Sequence, residues 1–196
     1  MSSALQPQLI VLAGPNGAGK STAAPELLRG LLDVKQFVNA DAIASGLSAF
    51  QPDEVAVRAG RIMLARLKEL AATRQDFAFE TTLASRSFAP WIRGLVAGGY
   101  AFHLMFLCLP SADYAVARVA ERVRRGGHDV PDATVRRRYS AGLRNFFSLY
   151  RPIATTWHFY DSLPATGPRL VAEGRGILAS SIRDAVEWKT ITDAWM

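Results

Sequence analysis

The sequence predicts an α/β fold of three layers, with a mostly parallel central sheet flanked by helices. Short apolar runs rich in Ile, Val and Phe alternate along the chain with segments of helical periodicity. The run YAFHLMFLCLP at residues 100–110 is apolar along most of its length, as is typical of a strand covered on both faces. No repeat, low-complexity tract or linker divides the 196 residues, so we expect one domain over residues 1–196.

The predicted strands share apolar or β-branched centres bounded by turn residues. They cover residues 8–14, 35–41, 76–82, 100–110, 157–162 and 168–174. The first of them, QLIVLAG, ends at a Gly-Pro pair that closes the strand.

The predicted helices are marked by periodic apolar positions together with start and stop signals. They cover residues 20–32, 53–73, 87–97, 132–150 and 176–190. One further helix, between the third and fourth of these, begins after Ser111 as its N-cap and ends at Gly126-Gly127. The helix at 53–73 carries an apolar stripe that we expect to face the sheet. Its members are Val57, Leu64, Leu67 and Ala71, with Gly60 filling the gap.

Composition and the single cysteine indicate a globular protein of a reducing compartment. Hydrophobic residues make up 49% of the chain and charged residues 20%. Cys108 lies within an apolar run, so we expect a buried strand residue and no intrachain disulfide. The first residues lack a basic segment, and their apolar part is too short for a signal peptide or a transmembrane helix, so we expect a cytoplasmic protein without membrane contact.

The strongest motif is GPNGAGKS, which fits G-x-x-x-x-G-K-S directly after a strand and before a helix. Glycines let successive N–H groups turn toward phosphate oxygens, and the helix N-terminus adds positive charge. Lys20 is expected to reach the β- and γ-phosphates and Ser21 to ligate Mg²⁺. The sequence therefore predicts a P-loop protein that binds ATP or GTP with Mg²⁺. The nucleotide-binding candidates are Gly14, Pro15, Asn16, Gly17, Ala18, Gly19, Lys20, Ser21 and Thr22.

Two carboxylates follow predicted strands, where ligands of open α/β sheets bind. Asp41 and Glu80 can therefore converge with the P-loop on one crevice, as a base for an attacking hydroxyl or as Mg²⁺ ligands. The alternatives are a helix N-cap for Asp41 and a strand-end salt bridge for Glu80. Thr81 and Thr82 fit either substrate binding or an ordinary β-branched strand end.

The formal net charge of +6 comes from one segment, because residues 118–151 hold nine arginines against three acidic residues. Arg118 and Arg122 are four apart on one helix and share a face. The segment GGHDVPDA then resembles a hinged flap, and a new helix carries three consecutive arginines that cannot all face one way. They are Arg136, Arg137 and Arg138. We interpret the segment first as a lid that closes over phosphate.

Other interpretations of the arginine segment are a solvated basic helix pair and a nucleic-acid grip. The neighbouring aromatic residues Phe146, Phe147 and Tyr150 are typical of the apolar face of a helix rather than of a stacking platform, which disfavours nucleic acid. The histidines His103, His128 and His158 show no ligand spacing, so we predict no zinc site.

Four segments together resemble the zeta toxin family, within the P-loop kinase group, in a compact subgroup. They are GPNGAGKST, FVNADAIASGL, FAFETTLASRSF and RVAERVRRGGHDVPDATVRRRYSAGLRNFFSLYRP, and they cover most of residues 8–174. The resemblance implies a doubly wound, kinase-type P-loop NTPase fold with an arginine-rich lid. It also implies ATP-dependent phosphorylation of the 3′-hydroxyl of UDP-N-acetylglucosamine or a related UDP-sugar, and an antitoxin as protein partner.

The same resemblance implies roles for particular residues. Asp41 matches the base for the sugar hydroxyl, and Lys20 matches the P-loop lysine. The substrate-binding candidates are Asn39, Asp41, Glu80 and Thr82. The transition-state arginines match Arg122 and one of Arg137 and Arg138, of which we favour Arg138, with Arg118 and Arg125 as further lid candidates. The alternative function is a nucleic-acid-binding ATPase or a polynucleotide 5′-kinase.

Overall fold

A computed structural model describes residues 6–31, 34–48, 51–127, 129–163 and 166–196. Within them, seven strands form one sheet in the order β2-β3-β1-β4-β5-β6-β7. The strands are β1 (Gln8–Ala13), β2 (Phe37–Val38), β3 (Phe77–Thr81), β4 (Ala101–Cys108), β5 (Thr156–Asp161), β6 (Arg169–Arg175) and β7 (Leu178–Ile182).

The sheet is parallel from β2 to β5 and antiparallel at β6 and β7. The predicted mostly parallel α/β fold is therefore confirmed. Strand β1 lies between β3 and β4, and the chain crosses β1 in passing from β3 to β4. This reversal of strand order opens a crevice beyond the carboxyl end of β1, where such sheets bind ligands.

The helices are α1 (Lys20–Leu31), α2 (Ala40–Leu47), α3 (Ala56–Ala72), α4 (Phe88–Ala97), α5 (Ala112–Arg124), α6 (Asp132–Asn145) and α7 (Ala185–Trp195). A 3₁₀ turn (Pro52–Val55) precedes α3, and a π-helical turn (Phe146–Tyr150) followed by a 3₁₀ turn (Arg151–Ile153) extends α6. Ser111 caps α5 as predicted, because its side chain accepts a hydrogen bond from Tyr114 N at 3.1 Å. The predicted end of the first helix at Leu32, and His128 in the predicted flap, lie outside the described residues.

The hydrophobic core is built around the apolar strands of the sheet. Every residue from Leu9 to Ala13 is fully buried, so both faces of β1 are covered. Aromatic rings fill the space between β4, β5 and the end of α6, with Phe106 stacked on Phe159 at 5.3 Å between centroids. The residues Phe146, Phe147 and Tyr150 belong to this core, as their apolar spacing predicted. In the described part of the chain, no helix has both the length and the apolar character to cross a membrane.

The predicted terminal helix at 176–190 is wrong in its first half. Strands β6 and β7 form an antiparallel hairpin in which Arg175 pairs with Leu178 across Gly176 and Ile177. Gly176 has a φ of +52°, which glycine adopts without steric cost in a tight hairpin turn. The helix begins at Ala185, where the Asp184 side chain accepts from Glu187 N at 3.0 Å.

The predicted strand at 35–41 is too long, because Asn39 starts a helix. Its Oδ1 accepts hydrogen bonds from Asp41 N at 2.7 Å and Ala42 N at 3.0 Å. This N-cap ends the strand at Val38 and places Asp41 in the first turn of α2. The alternative in which Asp41 is itself the cap is therefore wrong.

The predicted stripe on α3 is correct in part. Leu67 is buried and Ala71 packs against the core, but Val57 and Leu64 are 73% and 44% exposed. The buried residues of the helix are Ala59, Met63, Leu67 and Leu70. Apolar residues occupy more than one face of this helix, and periodicity alone does not say which face packs against the sheet.

Candidate functional site

The P-loop is shaped by glycines that other residues cannot replace without strain. It connects β1 to α1, and Gly14, Gly17 and Gly19 have φ values of +143°, +81° and +73°. A Cβ on Gly17 would lie 2.8 Å from the Cβ of Arg118 and 3.1 Å from the carbonyl oxygen of Ala115. Helix α5 therefore packs directly against the P-loop. The sequence alone did not predict whether this helix lies over the crevice or runs back along the sheet.

Gly17→Ala is expected to destabilise the fold by about 1–3 kcal/mol and to weaken ATP binding, because the added Cβ meets α5 and the positive φ is strained. Urea unfolding and ATP titration measure the two effects. Gly60→Ala in α3 is the matched control, since a Cβ there meets no atom within 4 Å. Wild-type stability and affinity in Gly17→Ala would show that the contact with α5 does not constrain the loop.

Lys20 is the first residue of α1 and is only 7% exposed. Its Nζ donates to the carbonyl oxygen of Pro15 at 3.0 Å and lies 3.6 Å from Glu80 Oε1. Burial lowers the pKa of Lys20, while the negative charges of Glu80 and Asp41 act in the opposite direction. The ammonium group is thus held inside the loop, where phosphate oxygens would replace its present partners.

Glu80 is positioned beside the P-loop serine. Its Oε2 accepts a hydrogen bond from Ser21 Oγ at 2.7 Å and another from Asn39 Nδ2 at 2.7 Å. Asn39 therefore has two tasks, because its oxygen caps α2 and its nitrogen orients the carboxylate. The strand-end salt bridge considered for Glu80 does exist, with Lys20, but it lies within this cluster.

The Glu80 cluster fits a magnesium ion. Mg²⁺ prefers hard oxygen ligands, and the Ser21 hydroxyl and the Glu80 carboxylate bring oxygen atoms together at the start of α1. The P-loop beside them offers the backbone geometry that holds nucleotide phosphates. The residues present therefore fit Mg²⁺ together with a nucleoside triphosphate.

Asp41 is exposed and lines the same cleft as the P-loop. Burial lowers the pKa of Lys20 and of Arg138 from α6, and the negative charge of Asp41 offsets part of this lowering at both groups. The N–H of Asp41 is bound to the Asn39 cap, so the backbone is fixed while the carboxylate stays accessible. An accessible carboxylate that lines the same cleft as the P-loop is suited to receive a proton from a substrate hydroxyl.

Only some arginines of the predicted lid line the cleft. Those that line the cleft are Arg118, Arg122, Arg125 and Arg138. Arg138 is half-buried, and its Nη1 donates to Asn16 Oδ1 of the P-loop at 3.5 Å. Burial and the neighbouring Arg137 lower the pKa of Arg138. Arg137 itself is exposed and does not line the cleft.

Several arginines of the segment, including Arg125 of the cleft lining, form ion pairs at the surface. Arg124 forms an ion pair with Glu121, and Arg125 contacts the other carboxylate oxygen of Glu121 at 2.9 Å. Arg136 contacts Asp113 at 2.6 Å. These three pairs are exposed and add little stability, and neither Arg124 nor Arg136 lines the cleft.

The cleft has a volume of about 730 Å³ and extends beyond Asp41 toward α3 and α4. Thr81 and Thr82 line this extension together with Met63 and Phe88. Sequence reasoning missed Met63, Phe88 and Glu121. Phe88 follows the predicted third strand closely, and the spacing of Glu121 to Arg124 and Arg125 signals helical ion pairs. Met63 carries no comparable signal.

Comparison with known proteins gives one family and one curated relative. The family model AAA_33, described as an AAA domain, matches residues 9–141. An uncharacterized protein of Haemophilus influenzae is 27% identical over 137 residues, which are 69% of this chain and 94% of that protein.

Solved structures share the fold, among them the following three. A chain of the AvrRxo1-ORF1:-ORF2 complex with ATP gives a TM-score of 0.69 at 17% identity, and the match covers 97% of this chain but 65% of that one. The PezAT toxin–antitoxin system of Streptococcus pneumoniae gives 0.63 at 15% identity, covering 95% and 78%. A gluconokinase from Sinorhizobium meliloti 1021 gives 0.51 at 18% identity, covering 81% and 84%. The chain has a P-loop kinase-like fold.

Proposed function

Because this chain belongs to the AAA domain family AAA_33, matched over residues 9–141, we propose that it is an ATP-dependent small-molecule kinase. We propose a sugar hydroxyl as acceptor, the 3′-hydroxyl of UDP-N-acetylglucosamine or a related UDP-sugar. The observation that carries this proposal is that one cleft holds the P-loop, the accessible carboxylate of Asp41 and the guanidinium of Arg138.

The nucleotide is held by the P-loop. The backbone N–H groups of residues 16–22 surround the phosphates, and Lys20 exchanges its contacts with Pro15 and Glu80 for phosphate oxygens. Ser21 and Glu80 would hold Mg²⁺, which would supply positive charge to neutralise the nucleotide phosphates. The ATP recorded in the AvrRxo1-ORF1:-ORF2 structure supports ATP as the donor.

Transfer proceeds by in-line displacement. The acceptor oxygen forms a bond to the γ-phosphorus, and the bond from that phosphorus to the oxygen bridging to the β-phosphate breaks, so ADP leaves. Asp41 takes the hydroxyl proton and returns it to solvent. Arg138 and Arg122 stabilise the negative charge that spreads over the equatorial oxygens of the transferring group.

The extension of the cleft supports a nucleotide-sugar as acceptor. The threonine hydroxyls of Thr81 and Thr82 offer hydrogen bonds, and Phe88 and Met63 offer an apolar surface. A UDP-sugar presents hydroxyls together with the flat face of a base.

Two comparisons and the sequence resemblance support a toxin-like role with a protein partner. The AvrRxo1-ORF1 and PezAT structures are both complexes or systems of two components, the second being described as toxin–antitoxin. We extend this to the present chain as a proposal that an antitoxin-like protein binds it.

Incubation with ATP·Mg²⁺ and a panel of UDP-sugars, followed by mass spectrometry, tests the function. We expect UDP-N-acetylglucosamine or a related UDP-sugar to gain one phosphoryl group. Oligonucleotides in the same panel test the polynucleotide kinase alternative, and we expect no binding to them at ~50 mM salt. ATP binding without any phosphorylated sugar would contradict the proposed acceptor class, and a phosphorylated 5′ end would favour the alternative.

A further inference from the structure

One face of α6 contacts two segments that contribute residues to the cleft, the P-loop and the loop after β3. Arg138, Gly142 and Asn145 follow each other at spacings of four and three residues, so they lie on one face of the helix. Arg138 reaches Asn16 of the P-loop. Further along the same face, Gly142 and Asn145 contact the β3–α4 loop, residues 82–87, which begins with Thr82 of the cleft.

The contacts with the β3–α4 loop are made to its backbone. Asn145 is 8% exposed, and its Nδ2 donates to the carbonyl oxygens of Leu83 at 2.8 Å and Ala84 at 3.1 Å. A Cβ on Gly142 would lie 2.6 Å from the carbonyl oxygen of Thr82, so helix and loop are in direct backbone contact. The helix thus fixes the loop independently of the side chains that the loop carries.

The π-helical turn adds a second contact. In a π-helix the hydrogen bonds join residues five apart, and such turns are frequent at functional sites. Tyr150 follows Asn145 by five residues, and its hydroxyl donates to the carbonyl oxygen of Ser85 at 2.5 Å. Three successive loop carbonyls, from residues 83 to 85, are therefore bound by this helix and its extension.

The loop needs such support because its backbone is strained. Leu83 has a φ of +59°, which is rare for a residue other than glycine, although its side chain is 1% exposed. Its N–H donates to Thr81 Oγ1 at 3.1 Å. The left-handed residue turns the chain immediately after Thr81 and Thr82, the two threonines that line the cleft.

We propose that Asn145 is a positioning residue for the phosphate acceptor: by binding the carbonyls of Leu83 and Ala84, it holds Thr81 and Thr82 at a fixed place relative to Arg138. The inference rests on the proposed kinase function. Asn145 lies outside the cleft lining and acts through the loop. Its loss therefore affects acceptor binding and leaves the nucleotide site intact.

Asn145→Leu removes both donors at similar volume, and Tyr150→Phe removes one hydroxyl without a change of shape. With UDP-N-acetylglucosamine as acceptor, we expect the acceptor KM to rise about 10-fold in Asn145→Leu and less in Tyr150→Phe, while the KM for ATP stays within about 2-fold. Hydrogen exchange should accelerate in residues 82–87 and remain unchanged in the P-loop.

Tyr139→Phe is the matched control, because this α6 hydroxyl donates at 2.8 Å to Leu109, which follows β4 rather than β3. An equal rise in acceptor KM in the control, an equal rise in the KM for ATP, or unchanged exchange in residues 82–87 would overturn the proposal. If the wild type phosphorylates no UDP-sugar, the proposed acceptor is wrong, and the exchange of residues 82–87 alone decides whether Asn145 holds the loop.

Discussion

Asp41→Asn is expected to bind ATP like the wild type and to transfer phosphate about 10²–10⁴-fold more slowly, the usual contribution of a general base. The asparagine amide has nearly the same size but does not accept the hydroxyl proton. The substitution leaves the helix cap in place, because Asn39 and not Asp41 caps α2. It removes a negative charge from the first turn of α2, which costs about 0.3–1 kcal/mol through the helix dipole.

Asp113→Asn is the matched control for Asp41→Asn. Asp113 is also the acidic residue in the first turn of its helix, α5, but its side chain is 80% exposed and does not line the cleft. We expect a similar small loss of stability with unchanged transfer. Single-turnover transfer and ATP titration separate the two effects. Full transfer by Asp41→Asn would show that Asp41 is not the base, and loss of ATP binding would show a structural role instead.

The P-loop and the sheet were predictable because their signals are local. The motif spacing predicts a glycine-rich loop, and Gly17 and Gly19 have φ values of +81° and +73° in it. The strand before the loop is predicted from its own apolar residues, without knowledge of the strands that pair with it. The parallel arrangement then brings the ends of β1 and β3 to one edge. Glu80 therefore reaches the P-loop, as its place at a strand end indicated.

Other parts of the site depend on packing that spacing does not encode. Asn39 was predicted as a strand residue with a substrate role, yet it caps α2 and orients Glu80. The face of α3 that contributes Met63 was missed because exposed apolar residues share that helix. No sequence pattern marks Asn145, because its role depends on the carbonyl oxygens that its buried side chain contacts, and these are known only from the structure.

The arginine segment is the clearest case in which sequence spacing does not predict which side chain faces the site. Consecutive helical residues point about 100° apart, so the sequence predicts that Arg136, Arg137 and Arg138 diverge, but it does not say which one faces the phosphates. The direction is set by the contacts of α6, where Gly142 and Asn145 face the β3–α4 loop. Arg138 shares that face and lines the cleft, whereas Arg136 pairs with Asp113.

Arg138→Ala is accordingly expected to lower phosphoryl transfer by about 10³-fold, in the range of arginines that stabilise the transferring phosphoryl group. Arg137→Ala removes the same charge from the adjacent exposed position and is expected to change transfer by less than about 2-fold, as surface substitutions do. The net charge of the protein falls equally in both variants, so general attraction for the substrate does not explain a difference.

The loss in Arg138→Ala should appear in kcat rather than in the affinity for ATP, because the equatorial oxygens gain their full negative charge only in the transition state. Single-turnover rates at saturating ATP measure this directly. Equal, small losses in Arg138→Ala and Arg137→Ala would instead show that the segment is a solvated basic surface. A loss confined to ATP affinity would place Arg138 among the groups that bind the ground state through Asn16 and the P-loop.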